Sequence, residues 1–307
     1  MIKKFSALFF VFLTAAVSFA QSPSIRLGVL KGIACTPCAY LIENREKLAV
    51  QNMSFKIYDS VQSELPALLK GELDLAFLPP GDAAKVFNKG GASLFALGVA
   101  QNGNACLLTN DDSYSSIRDL AEKTVLCEGS DSFDVAVFNH VLSRDDSGID
   151  SVEVDFSVPQ AELANNLITG QAQYALLKEP FASVALLHST KVRRVESLQR
   201  MYSEGEGASL YPAMLLVARL DFIKDNADLI RRFVEVYRSA VLWTNKNPAK
   251  AASLSEKQGL GLSAAVVKAS IPHAALVWRE AKAARADLEK FYGILEVTLP
   301  DEEFYFE

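Results

Sequence analysis

Few residue patterns in this chain could perform covalent chemistry, and the most suggestive is Cys35-Thr36-Pro37-Cys38. It follows a strand-like run, Ser24 to Leu30, and precedes a helix-like segment from Pro37 to about Ala49. A Cys-x-x-Cys pair at a helix N-terminus can have a lowered thiol pKa, which opens thiol–disulfide exchange. The same pair offers a soft-metal site, with Cys127 as a further ligand. A third reading is a strained, easily reduced disulfide, or no bridge at all, in a loop with another purpose. A thioredoxin-type domain is only about 100 residues long, whereas this chain has 307, so the third reading takes precedence.

Other catalytic signatures are missing from the sequence. It holds no Gly-x-Ser-x-Gly elbow, no His-Glu-x-x-His pair and no phosphate-cradling glycine loop. Its three histidines, His140, His188 and His273, are far apart on helix-like segments. The expectation is a protein that is not an enzyme and needs no cofactor or metal. A formal net charge of −6 argues against a nucleic-acid partner, which needs a clustered basic face.

The first twenty residues point to secretion. Lys3 and Lys4 precede an apolar run from about Ala7 to Phe19, and Ser18-Phe19-Ala20 supplies small residues for cleavage. The run is shorter than the roughly 20 residues that cross a bilayer. With no Cys directly after it, a lipid-anchored form is not expected. The expected product starts near Gln21 and is soluble, periplasmic or secreted, and monomeric. About 285 residues remain, half of the chain being apolar, enough for two compact lobes.

Strand-like and helix-like segments alternate from the start. Phe55 to Tyr58 reads as a second strand and Ser63 to Lys70 as a helix closed by Gly71. Leu73, Leu75 and Phe77 mark a third strand that stops at Pro79-Pro80-Gly81, after which Asp82 is positioned to cap a short helix. This alternation predicts βαβ units in an α/β fold. A pattern then recurs about 99 residues on. Glu64-Leu65, Gly71, Ala76, Leu78 and Pro80 return as Glu162-Leu163, Gly170, Ala175, Leu177 and Pro180. One recurrence is too few, and its spacing too long, for a solenoid, and it fits two similar lobes. Apolar runs at Leu94–Thr109 and Ala213–Ala218 read as crossovers. Lobe one would then comprise 21–104 with 213–307, and lobe two 105–212. Helices are expected from Asp225 to Leu242 and from Ser263 to about Leu288.

The leader, the βαβ start, Glu64-Leu65…Gly71…Asp74-Leu75-Ala76, the later Ala161-Glu162-Leu163…Gly170…Glu179-Pro180-Phe181, and Tyr211-Pro-Ala-Met-Leu-Leu-Val-Ala-Arg219 together resemble type II periplasmic substrate-binding proteins. The branch that binds nitrate, taurine, aliphatic sulfonates and thiamine-precursor pyrimidines is the most similar. The resemblance implies a two-lobed Venus flytrap, each lobe a mixed, mainly parallel sheet flanked by helices. It further implies a small-molecule ligand held between the lobes and delivery to an ABC permease and ATPase.

In open α/β sheets ligands sit beyond the carboxyl ends of the strands, where helix N-termini aim free N–H groups. Four loops qualify, and the crossovers add the hinge. In proteins of the resembled family the matching loops hold the ligand. The candidate contacts are therefore Lys31, Gly32, Thr36 and Tyr40; Pro80 and Asp82; Gln101, Asn102 and Asn104; Gly129, Ser130, Asp131 and Ser132; Glu179 and Phe181; and Tyr211. These loops carry Asp82, Glu128, Asp131, Asp134 and Glu179 against only Lys31 and Lys178. Tyr40, Phe133, Phe181 and Tyr211 offer stacking faces. That balance favours a neutral or cationic heterocycle over a small inorganic anion.

Overall fold

The computed structural model of the protein describes residues 24–48, 52–89, 94–129, 132–144 and 152–306. The leader expected at residues 1–20 lies outside them, as do Ser130 and Asp131. Among the described residues no helix is long and apolar enough to cross a membrane.

The chain runs β1 (Ile25–Leu30), α1 (Thr36–Asn44), β2 (Met53–Tyr58), α2 (Val61–Leu69), β3 (Leu75–Leu78), α3 (Pro80–Asn88) and β4 (Leu94–Asn102). It crosses to β5 (Cys106–Thr109), β6 (Thr124–Leu126), α4 (Phe133–Leu142), β7 (Glu153–Asp155), α5 (Gln160–Thr169), β8 (Tyr174–Leu177), α6 (Phe181–His188), β9 (Arg193–Ser197) and α7 (Leu198–Gly205). It returns through β10 (Pro212–Arg219), α8 (Leu220–Lys246), α9 (Pro248–Lys257), α10 (Ala264–Ser270), β11 (Leu276–Glu280) and α11 (Ala281–Ile294).

These strands form two sheets, each the centre of one lobe. The first has the order β11-β4-β10-β3-β1-β2 and the second β7-β6-β8-β5-β9. In the first, β1 pairs in parallel with β2 and β3, and β10 runs antiparallel between β3 and β4. In the second, β6 pairs in parallel with β7 and β8, and β5 runs antiparallel between β8 and β9. Each lobe thus repeats one plan, in which an inner antiparallel strand is the one that has just arrived from the other lobe; the first sheet adds β11 as a second antiparallel strand at its edge. The four residues of β3 and of β8 are all buried, as expected of central strands covered by helices on both faces. The recurrence seen in the sequence is this shared helix–strand–helix unit, α2-β3-α3 in one lobe and α5-β8-α6 in the other.

Several local expectations are corrected. The segment Ser263–Leu288 is not one helical stretch, because Leu276–Glu280 pairs antiparallel with β4 as an edge strand. The long apolar run Leu94–Thr109 breaks at Gly103, where a side chain would lie 1.8 Å from the Tyr211 ring. Pro79, not Asp82, holds the N-cap position of α3, and Asp82 sits inside its first turn. The helix expected to open at Asp225 opens at Leu220, with Asn226 as one non-helical residue (φ −135°, ψ 27°) inside it.

The first lobe has one core, with Leu27, Phe77, Leu216 and Phe233 at its centre. The second has a cluster on either face of its sheet, one around Phe138, Tyr202 and Tyr211, the other around Leu108, Leu163 and Leu177. Helix α11 serves both lobes. Leu288 and Tyr292 join the core of the first, whereas Phe291 packs into the second, 5.8 Å from Tyr211 and edge-on to Phe133 at 6.1 Å.

Candidate functional site between the lobes

A cavity of about 510 Å³ opens where the strand-end turns of the two lobes face each other. The first lobe contributes Gln62 and the turn Pro79 to Asp82, with Lys85 one helical turn further on. The second contributes Glu128, Gly129, Ser132, Phe133 and Lys178. The shared helix and the residues after it close the base with Phe291, Leu295 and Val297. The volume falls within the roughly 300–1,000 Å³ typical of small-molecule sites.

Pro79-Pro80 brings the chain from β3 straight into α3, since Pro at N1 needs no amide partner and has its φ set for the helix. Asp82 therefore reaches the cavity from the first turn, and burial raises its carboxyl pKa, with Lys85 opposing the shift. Opposite, the Lys178 ammonium donates to Glu128 at 2.8 Å, so the lysine of that wall is already paired. Behind this pair lies Asp134, whose carboxyl is pushed up to about 6 by burial. It accepts a hydrogen bond from the Tyr211 hydroxyl at 3.2 Å.

Of the sixteen residues singled out in the sequence, the cavity brings together Pro80, Asp82, Gly129 and Ser132. Other polar candidates have protein partners. Lys31 donates to Asp59 at 2.6 Å, and the Gly32 amide donates to the Leu260 carbonyl at 3.0 Å. The Gln101 amide group donates to the Ala274 carbonyl and Glu179 accepts from Arg194, whereas Asn102 donates only its backbone N–H, to the Ala275 carbonyl, and its side-chain Oδ1 is buried with no partner among the described residues. Asn104 has partners on both sides, the Ala274 carbonyl and the Glu179 N–H. The aromatic candidates are also engaged. Tyr40 stacks on Trp243 with centroids 4.5 Å apart, Phe181 packs on the α5–β8 cluster, and Tyr211 is fully buried. Thr36 is buried, and its hydroxyl has no hydrogen-bond partner among the described residues.

Several wall residues escaped sequence reasoning, Gln62 among them. Lys85 stands three positions after Asp82 on the same helix and could have been found by helical spacing. Phe291, Leu295 and Val297 carry no local signal, because only the tertiary position of α11 brings them to strands some 200 residues earlier.

The geometry also runs against cysteine chemistry. All four cysteines are free and buried. Burial pushes the Cys35 thiol pKa well up, assisted by its hydrogen bond with Cys38, so the reactive thiolate is disfavoured. Cys127 belongs to the core of the other lobe and cannot complete a metal site with them. Among the described residues no group of three or more His, Cys, Asp or Glu side chains is placed to hold a metal ion.

Two lobes of one plan, joined by direct crossovers with a cavity between their strand ends, define a type II periplasmic substrate-binding protein fold. The chain belongs to the NMT1/THI5-like family, whose model matches residues 56–251. Among solved structures it is similar to an ABC transporter protein from Parabacteroides distasonis, at 20% identity and a TM-score of 0.78, over 92% of this chain and 99% of that one. The ligand-binding component of an ABC-type import system from Staphylococcus aureus, solved with zinc bound, matches at 12% identity and 0.69, over 93% and 97%. The periplasmic aliphatic sulphonate binding protein of Escherichia coli matches at 16% and 0.67, over 93% of each chain. At these identities the likeness concerns the fold. No curated protein sequence matches the chain.

Proposed function

We propose that the protein is the secreted solute-binding component of an ABC importer. It captures a small molecule between two lobes, residues 21–104 with 213–307 and residues 105–212, and delivers it to a membrane permease and its ATPase. In this reading it is a periplasmic, monomeric binder and not an enzyme. The observation that carries it is the cavity walled by strand-end turns of both sheets, where helix first turns and apolar side chains converge.

The wall chemistry supports a neutral or cationic heterocycle. Asp82 and Glu128 offer carboxylate acceptors, Lys178 is already paired, and Phe133 and Phe291 provide flat apolar surface. Lys85 is the other wall cation, and Asp82, three residues before it on the same helix, lies close enough to feel its charge. A carboxylate near a bound anion costs Coulomb energy that a half-buried cleft screens poorly. Isothermal titration with a panel of pyrimidine-type and other N–H-bearing heterocycles, alongside nitrate, sulfate and taurine, tests both levels. Binding of a heterocycle, lost in Asp82→Ala, is expected. Tight binding of the anions alone overturns the ligand class, and silence across a broad metabolite panel overturns the solute-binding reading.

A further inference from the structure

Three of the polar residues that sequence reasoning assigned to the ligand are engaged in a hydrogen-bonded chain that crosses the lobe boundary. Asn104 lies in the crossover between β4 and β5. Its Nδ2 donates to the Ala274 carbonyl at 3.3 Å, in the turn before β11 of the first lobe. Its Oδ1 accepts from the Glu179 N–H at 3.2 Å, in the β8–α6 turn of the second lobe. The Gln101 Nε2 shares the same carbonyl at 2.9 Å and aligns it with the crossover.

Both ends of this chain are firmly held. Ala275 adopts φ +51°, a conformation that L-residues avoid, and the turn it forms aims two successive carbonyls at the crossover. The first takes Gln101 and Asn104, and the second takes the Asn102 N–H at 3.1 Å. At the far end the Glu179 carboxylate is fully buried, which is tolerated because Arg194 donates to one oxygen at 2.7 Å and the Ser183 N–H to the other at 3.2 Å. Burial lowers the pKa of His273, the residue beside Ala274, and the Arg194 charge adds to that shift. Next to this network α10 of the first lobe packs on α6 of the second.

We propose that Asn104 is a positioning residue that clasps the two lobes together, setting how often the unliganded protein is closed without touching the ligand. The clasp rests on the solute-binding reading for its purpose. Hydrogen bonds weaken steeply with stretch, so a rotation of the lobes that lengthens this chain releases either Ala274 or Glu179. Releasing one or two such bonds to water moves an equilibrium by about five- to tenfold, enough to reset a closed-to-open ratio.

Spin labels at Lys70→Cys and Leu187→Cys, both exposed and on different lobes, report the lobe separation. The native cysteines, all buried, are shielded from the label. Electron–electron distances would be measured without any ligand. The parent protein should populate the short separation of this structure, and Asn104→Ala should raise the long-separation fraction about five- to tenfold. Asn104→Asp keeps the acceptor for Glu179 but turns the donor toward Ala274 into an acceptor, so it should open the protein similarly and serves if the alanine variant folds poorly. Identical distributions in all three proteins overturn the clasp, as does a parent protein already fully open. A failed ligand titration leaves these distances unaffected, so the two readings fail separately.

Discussion

The helix–strand–helix units of the two lobes share a backbone and differ in what they bury. Both leading helices end on a left-handed glycine, Gly71 at φ +75° and Gly170 at φ +77°. In both, that glycine's amide donates to a buried leucine carbonyl three residues back, Leu68 and Leu167. Counting back from these glycines, Glu64 falls opposite Leu163, not opposite Glu162 as the sequence pattern suggested; that match was one residue out of register. One lobe thus buries a carboxyl where its counterpart buries a leucine, and Glu162 is exposed. Among the described residues neither Glu64 oxygen makes a hydrogen bond of good geometry, and burial lifts its carboxyl pKa to about 8, with the nearby Phe77 backbone opposing the shift. Likewise Asp74 is buried and holds Arg26 through its side chain and backbone, whereas its counterpart Gln173 is exposed. A duplicated frame therefore fixes backbone geometry while leaving each lobe free to bury its own charges.

The largest effect should come from Glu64. Its folded pKa lies above its unfolded value, so the folded state binds the extra proton, and stability is full below about pH 4.5 and falls as pH rises toward 8. Between pH 5 and pH 8 the loss should be on the order of 3 kcal/mol. Urea midpoints across that range should show this slope in the parent protein, a much shallower one in Glu64→Gln, where Asp134 still titrates near pH 6, and no change from the parent in Glu162→Gln. An unchanged slope in Glu64→Gln would mean that another group sets it.

Next comes Asp74→Ala, expected to cost about 2 kcal/mol, because the Arg26 backbone N–H and guanidinium lose their acceptor while part of the guanidinium can still turn to water. Gln173→Ala, the matching change, should stay within roughly 0.5 kcal/mol. Chemical denaturation of both variants at one pH decides it, and equal losses would dissolve the contrast.

The smallest difference concerns the glycines. Alanine at either left-handed position costs about 1 kcal/mol from the backbone alone. At Gly170 a new methyl meets nothing within 4 Å, whereas at Gly71 it would lie 2.3 Å from the Arg219 guanidinium, which must shift. Gly71→Ala should therefore melt lower than Gly170→Ala. The reverse order would show that Arg219 moves freely.

Much of the frame was legible in the sequence for local reasons. Alternating strand and helix segments, glycines past helix ends and Pro79-Pro80 ahead of a helix all reflect backbone preferences that neighbouring residues express by themselves. The recurrence at about 99 residues therefore announced two lobes, and the breaks near Gly103 and Asn226 fall where the sequence carries residues tolerant of irregular backbone. The strand Leu276–Glu280 was missed because it exists only through pairing with β4. The site was half legible for the same reason. Turns after strands could be counted off, which placed Pro80, Asp82, Gly129 and Ser132 at the cavity. What each side chain does with its polar atoms depends on partners far along the chain. Asn104 spends its amide on Ala274 and Glu179, Tyr211 turns into a core beside Gly103, and α11 supplies Phe291 to the cavity wall from nearly the other end of the sequence. Local sequence determines where backbone groups point; only long-range packing decides which side chains remain free for a ligand, because hydrogen bonds and apolar contacts are settled by whichever neighbour the fold delivers.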